Sequence, residues 1–457
     1  MQLWLAELAW TGTSLVPRLL LEEEAGRFSR VEELGTGLIP PGAKVLSGLT
    51  LPGLANVHSH GFHRALRGRS EEAQGGGGSF WEWRRRMYTL AGFLTPDDYF
   101  GLCRAALGEM ALAGITAVGE FHYLHHRPGG HPYPRPEMEE AVIAAAEEAG
   151  LRLTLLDTCY LRPGFDGGPL EGAALRFSDR DAQAWARRAD GLADGPRLRL
   201  GAAIHSVRAV APDAIRVVAD WAKDRGAPLH LHLSEQPEEN LASLRSTGMT
   251  PTELIDSCGV LGPQTTAVHA IHLTPTDIRR LGQTGTGICV CPTTERDLGD
   301  GVCAADQLQA AGSPLCLGSD SNAVIDLFEE ARAVELDRRL VTGGRGWLSS
   351  SALLRAATAQ GMAALGWNSG ELRRGTLADF ATLNLSSPRL AGAGLADLLP
   401  RVVFGAGAGD VRSVVVGGEL VVEEGHHVGL GSVAEKLGVV LEALEPSWQR
   451  ALAELAG

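Results

Sequence analysis

The chain has 457 residues, 44% of them hydrophobic and 21% charged, which is the balance of a folded globular protein and excludes a disordered one. Its 41 basic against 55 acidic residues give a net charge of −14, which argues against nucleic acid or an anionic membrane as partner, since both reward a basic face. Seven cysteines, spread from Cys103 to Cys316 with no Cys-x-x-Cys pair, point to a reducing cytoplasm rather than a disulfide framework.

The start Met1-Gln2-Leu3-Trp4-Leu5-Ala6-Glu7 lacks a basic segment and carries an early acid, unlike a secretory leader. No uncharged apolar run reaches the ~18 residues of a membrane span. Residues 1–50 read as short strands and turns. So do residues 375–430, where Val414 to Val422, broken by Gly417-Gly418, predicts a hairpin. The two ends are expected to build one small β-sandwich. Between them, residues 51–374 alternate apolar strands with amphipathic helical stretches, the pattern of parallel strands joined by crossover helices. The strands are expected at Leu54–His58, Thr116–Phe121, Arg152–Thr158, Leu198–His205, Pro228–Leu233, Thr266–Ala270, Gly287–Cys291 and Pro314–Ser319. Eight such units predict an α/β fold, a (β/α)8 TIM-like barrel. Residues 431–457 read as a helical tail, with Pro446 starting a second segment.

Glu120, His122, His205, His232, Glu235, His269 and Asp320 all fall at or just past the carboxyl ends of their strands, the rim where barrel enzymes hold their chemistry. The loop from Ser70 to Ser79, with glycines 75 to 78, is either a lid or a solvated connection. His58 and His60 in Asn56-Val57-His58-Ser59-His60 lie two apart on a strand and project from one face. His230 and His232 repeat the spacing.

A divalent metal that activates water needs several protein ligands and an open position. His58, His60, His232 and Asp320 supply three imidazoles and a carboxylate. A lone histidine at a strand end is more often structural, but here several strands agree. Glu235, three residues past His232, holds the position of a proton shuttle. His269 is placed to meet either the water or the polarised atom of a substrate. His230 is expected to pack or to support the site, and His272 to be structural. His125, His126, His131, His426 and His427 sit in polar, turn-rich stretches and are expected to face solvent. Only Lys44, Lys223 and Lys436 occur, none at the carboxyl end of a barrel strand, so no bridging carbamylated lysine is expected and one metal ion is.

Together these residues resemble the amidohydrolase superfamily: His-x-His on the first barrel strand, His-x-x-Glu after the fifth, a histidine on the sixth and an aspartate on the eighth. The split β domain and Gly375-Thr376-Leu377-Ala378-Asp379-Phe380 look like that superfamily too, so the resemblance covers nearly the whole chain. It implies that His58, His60, His232 and Asp320 hold zinc, with Fe2+ as the alternative, and that Glu235, His269 and Asp320 conduct the proton transfers. It also implies a homodimer. A narrower resemblance, to the formimidoylglutamate deiminases of histidine breakdown, rests on Phe80-Trp81-Glu82-Trp83-Arg84, His205-Ser206-Val207-Arg208-Ala209-Val210, Ser234-Glu235-Gln236 and Cys291-Pro292-Thr293-Thr294-Glu295. It implies a dicarboxylate substrate, N-formimidoyl-L-glutamate, gripped by Arg84 and Arg208 with Tyr123 and His205 nearby. Fixed guanidinium forks suit that ligand, because arginine binds carboxylate bidentately. The chain departs from the deiminase pattern at His63, which can still donate to a carboxylate, and at Arg296-Asp297. The alternative is another single-metal deaminase of the same superfamily, of the guanine, adenosine or S-adenosylhomocysteine type.

Overall fold

A computed structural model describes residues 2–71 and 80–456. The glycines of the expected lid or solvated loop fall outside them. The chain opens with β1 (Gln2–Trp10), β2 (Leu15–Glu24), β3 (Arg27–Glu33) and β4 (Lys44–Pro52). The barrel strands follow: β5 (Leu54–Ser59), β6 (Ile115–His122), β7 (Arg152–Cys159), β8 (Leu198–Ile204), β9 (Leu229–Leu233), β10 (Thr265–His269), β11 (Gly287–Val290) and β12 (Leu315–Leu317). Each lies within one or two residues of its expected position. They pair in chain order, all parallel.

The barrel closes where β12 meets β5. A parallel bridge joins Ser59 to Asp320, the His60 N–H donates to the Asp320 carbonyl at 2.9 Å, and the Asp320 N–H donates to the His58 carbonyl at 2.9 Å. Small residues fill the strand interiors, with Ala55, Ala117, Cys289 and Cys316 packed against Met362, Leu365 and Trp367. Helices wrap the outside and bury the larger core.

The terminal strands form a second sheet with β13 (Phe380–Leu383), β14 (Val411–Val416), β15 (Glu419–Glu423) and β16 (His426–His427), in the order β16-β15-β14-β13-β4-β1-β2-β3. All its pairs are antiparallel except β1 with β4. Phe28 on β3 nevertheless stacks on Phe380 of β13, centroids 6.2 Å apart, so the sheet folds over on itself around Trp4, Phe28 and Phe380. Gly417 and Gly418, at φ 58° and 82°, make the two-residue turn of the predicted hairpin. Only Gly53 separates β4 from β5, and a β-carbon there would collide with the Thr116 side chain.

The tail is one helix, Val433–Ala456, and not the two segments expected from Pro446. Pro446 and Glu442, whose carbonyl the proline leaves unpaired, both face solvent, while Leu444 and Trp448 on the other side are buried. The apolar face holds the helix together. The chain's cysteines are all unpaired and buried, and among the described residues no helix is long and apolar enough to cross a membrane.

Candidate active site

His58 and His60 come from β5 and its end, His232 from β9 and Asp320 from the turn after β12; strand alternation turns the two β5 histidines to one side, and all four meet above the barrel. Asp320 Oδ1 lies 3.4 Å from the Nε2 atoms of both His58 and His60. The Nε2 atoms of His58 and His232 face each other at 3.0 Å. Backbone carbonyls fix two of the rings: His60 Nδ1 donates to the Phe121 carbonyl at 3.0 Å, and His232 Nδ1 to the His205 carbonyl at 2.9 Å. Both Nε2 lone pairs are thereby left bare and pointing inward.

Burial lowers the pKa of His58, His60 and His232, keeping the imidazoles neutral. Burial would raise Asp320, but the His58 hydrogen bond and the charge of the neighbouring His269 outweigh it and hold the carboxyl well below the usual range. Opposed lone pairs beside a carboxylate fit a divalent cation, and a three-nitrogen, one-oxygen donor set suits Zn2+ or Fe2+.

The groups expected to move protons border these four. His269 Nε2 lies 3.8 Å from Asp320 Oδ2 and 4.0 Å from Glu235 Oε1. Burial works against protonation of His269, but hydrogen bonding to Glu295 and the charges of Glu235 and Asp320 prevail and take it up to about 10. Ser234, His269, Ala270, Asp320 and Asn322 all have positive φ, so the chain leaves β9, β10 and β12 through left-handed residues. A buried net pins the last of these exits. Asn56 Nδ2 donates to Ser319 Oγ at 2.7 Å, Ser319 Oγ donates to Asn322 Oδ1 at 2.6 Å, and Asn322 Nδ2 donates to the His60 carbonyl at 3.0 Å.

A cavity opens beside these residues and is lined by His63, Arg84, Tyr123, His205 and Arg208, all five expected from the sequence. The helix Phe80–Phe93 carries Arg84, whose Nε and Nη2 donate to Tyr88 Oη at 3.0 and 2.6 Å and whose Nη2 donates to Tyr160 Oη at 3.0 Å. Among the described residues no carboxylate pairs with Arg84. Arg208 stands between two acids, Nη2 at 3.5 Å from Glu235 Oε2 and Nε at 3.6 Å from Glu239 Oε2. His63 Nε2 lies 2.8 Å from Tyr123 Oη, and burial takes its imidazole down to about 3, so the ring is neutral.

Several residues at the site were not singled out by sequence. Tyr88 was discoverable one helical turn from Arg84. Tyr160, Met87 and Phe177, which also line the cavity, left no local signal. Arg296, one of the departures, points outward to Glu329 at 3.1 Å, and neither it nor Asp297 lines the cavity.

Three histidines expected in solvent are buried. His125 Nδ1 lies 2.8 Å from Glu139, His126 Nε2 lies 2.9 Å from Asp179, and His427 Nε2 donates to the Ala149 carbonyl at 3.1 Å. Partners distant in sequence satisfy them inside the fold. His131 and His426 are exposed as expected. His230 Nε2 donates to the Ala364 carbonyl at 3.0 Å, toward the barrel floor and away from the ligand set.

Comparison with known proteins agrees with this geometry. The Amidohydrolase family matches residues 49–421. The chain is 35% identical to formimidoylglutamate deiminase of Pseudomonas aeruginosa over 90% of its own length and 95% of that protein's. It is 30% identical to a 5-methylthioadenosine/S-adenosylhomocysteine deaminase of Natronomonas pharaonis over 82% of each chain. The crystal structure of an amidohydrolase from Brucella melitensis superposes with a TM-score of 0.87 at 31% identity, over 100% of both chains.

Proposed function

The chain belongs to the amidohydrolase family, and from that premise we propose that it is a deiminase converting N-formimidoyl-L-glutamate and water to N-formyl-L-glutamate and ammonia. One observation carries the substrate reading. Arg84 presents a guanidinium to the cavity, oriented by two phenols and with no acid partner among the described residues, while Arg208 lines the same space. Two arginines suit a dicarboxylate, whereas a neutral purine leaves Arg84 without counter-charge.

One divalent ion held by His58, His60, His232 and Asp320 would lower the pKa of its water toward ~7 and polarise the substrate. The chain's own residues then have distinct tasks. Arg84 and Arg208 bind the two carboxylates and lay the amidine across the cavity, with His63, Tyr123 and His205 completing its walls. Glu235 accepts a proton from the attacking water as its oxygen bonds to the formimidoyl carbon. His269 donates to the oxygen on the tetrahedral carbon, and Asp320 stands beside His269 to relay a proton. Glu235 delivers its proton to the terminal nitrogen, the oxygen's remaining proton follows to that nitrogen through Asp320, the carbon–nitrogen bond breaks as the oxygen becomes the formyl carbonyl, and ammonia leaves.

The buried free cysteines support a reducing cytoplasm as the setting, and a homodimer working in histidine breakdown completes the reading. Ammonia release from N-formimidoyl-L-glutamate, S-adenosylhomocysteine and guanine, measured side by side on metal-loaded protein, tests it. The dicarboxylate should lead in kcat/KM by about a thousandfold or more. Preference for either purine compound would replace the reading with nucleobase deamination.

A further inference from the structure

The segment Cys291-Pro292-Thr293-Thr294-Glu295 has no part in the mechanism above, yet its last residue reaches the reaction centre from behind. Glu295 is buried and does not line the cavity, so it cannot touch a substrate there. Its Oε1 accepts the Cys291 N–H at 2.9 Å and lies 3.2 Å from His269 Nδ1. A carboxylate tied to the start of its own helix, Pro292–Leu298, offers a fixed acceptor. His269 needs one, because it and Ala270 have φ of 70° and 50°, consecutive left-handed positions that are costly without glycine and persist only where the surroundings enforce them. The other ring nitrogen, Nε2, faces Asp320 Oδ2 and Glu235 Oε1 at 3.8 and 4.0 Å.

We propose that Glu295 is a positioning residue. By accepting the Nδ1 proton of His269 it fixes the ring's rotation, so that the Nε2 proton meets the oxygen added to the substrate. The logic is that of an acid orienting a histidine in a hydrolytic triad, here supplied from the helix Pro292–Leu298 after the neighbouring strand. It rests on the deaminase reading only in using ammonia release as its signal.

The test is a double-mutant cycle with His269→Asn. Glu295→Leu should lower kcat about tenfold to a hundredfold with KM within about twofold, bound metal unchanged. Glu295→Gln, which keeps an acceptor oxygen, should recover most of that loss. In the His269→Asn background the Leu substitution should cost less than about twofold. Equal losses in both backgrounds, or a loss carried by KM or by metal content, would overturn the proposal, because a carboxylate that merely braces its helix acts without His269. Should Glu295→Leu fail to fold, Glu295→Thr carries the same comparison. A wild-type protein inert toward N-formimidoyl-L-glutamate refutes the substrate reading alone, and the cycle then runs on S-adenosylhomocysteine.

Discussion

Glu235 sits just past β9, beside the left-handed Ser234, with Arg208 3.5 Å from one oxygen and His269 4.0 Å from the other. Its carboxylate is absent from the group of facing ligand atoms, so removing its charge leaves the metal donors intact. Glu235→Gln should retain one equivalent of metal by elemental analysis while ammonia release falls by about a hundredfold to ten-thousandfold. Normal turnover would exclude Glu235 from the proton path. For Arg84→Ala, the two phenols remain but the guanidinium is gone, and KM for N-formimidoyl-L-glutamate should rise about tenfold or more with a smaller change in kcat. Steady-state kinetics decide it. Arg84 was legible in the sequence because two aromatics and a resemblance marked it, His58, His60 and His232 because of their two-residue spacing on strands, and Asp320 because it falls just past the carboxyl end of the last barrel strand. Tyr160 was not legible, since its link to Arg84 spans 76 residues and no local period reports it.

At the scale of elements, two buried ionic networks hold the barrel to its surroundings. Asp379, just before β13, accepts Arg152 of β7 at 2.8 and 3.0 Å, the Gly417 N–H at 2.7 Å and Ser369 Oγ at 3.0 Å. Asp379→Ala strands a buried guanidinium and should cost about 3–5 kcal/mol, read as a lower urea midpoint. The other network gathers Glu139 of the helix Glu137–Glu148, Asp157 of β7 and Asp179 around Arg188 of the helix Ala182–Ala189. Burial opposes ionisation of Glu139 and Asp179, but Arg188 and the adjoining histidines overcome it and hold both carboxyls below their usual range. Such groups add stability that is complete above their unfolded pKa of about 4 and is lost as pH falls through the lower folded value. Arg188→Met should therefore move acid unfolding to higher pH, followed by circular dichroism. His125 shifts the other way, so its contribution fades as pH climbs above its raised folded value. Strand positions were readable because short apolar runs between turn signals locate parallel strands well. The buried histidines and the unbroken tail helix were misjudged because polarity along the chain does not reveal which carboxylate or carbonyl will close over a side chain.

For the whole molecule, the barrel shuts through the residues that hold the candidate metal, with the backbones of His58, His60 and Asp320 exchanging hydrogen bonds where β5 meets β12. Chelation should abolish ammonia release and also lower the melting temperature by several degrees, with both restored by added Zn2+. Loss of activity with an unchanged melting curve would mean that the ion does not brace the closure. The same closure orders events during synthesis. A polypeptide still emerging from the ribosome holds its histidine pair at residues 58 and 60 from early on, but neither the carboxylate nor the strand that completes the ring exists until residue 320 has been made. Metal capture is thus a late step, and any product truncated before that point has three imidazoles facing an open edge and no means of keeping an ion between them.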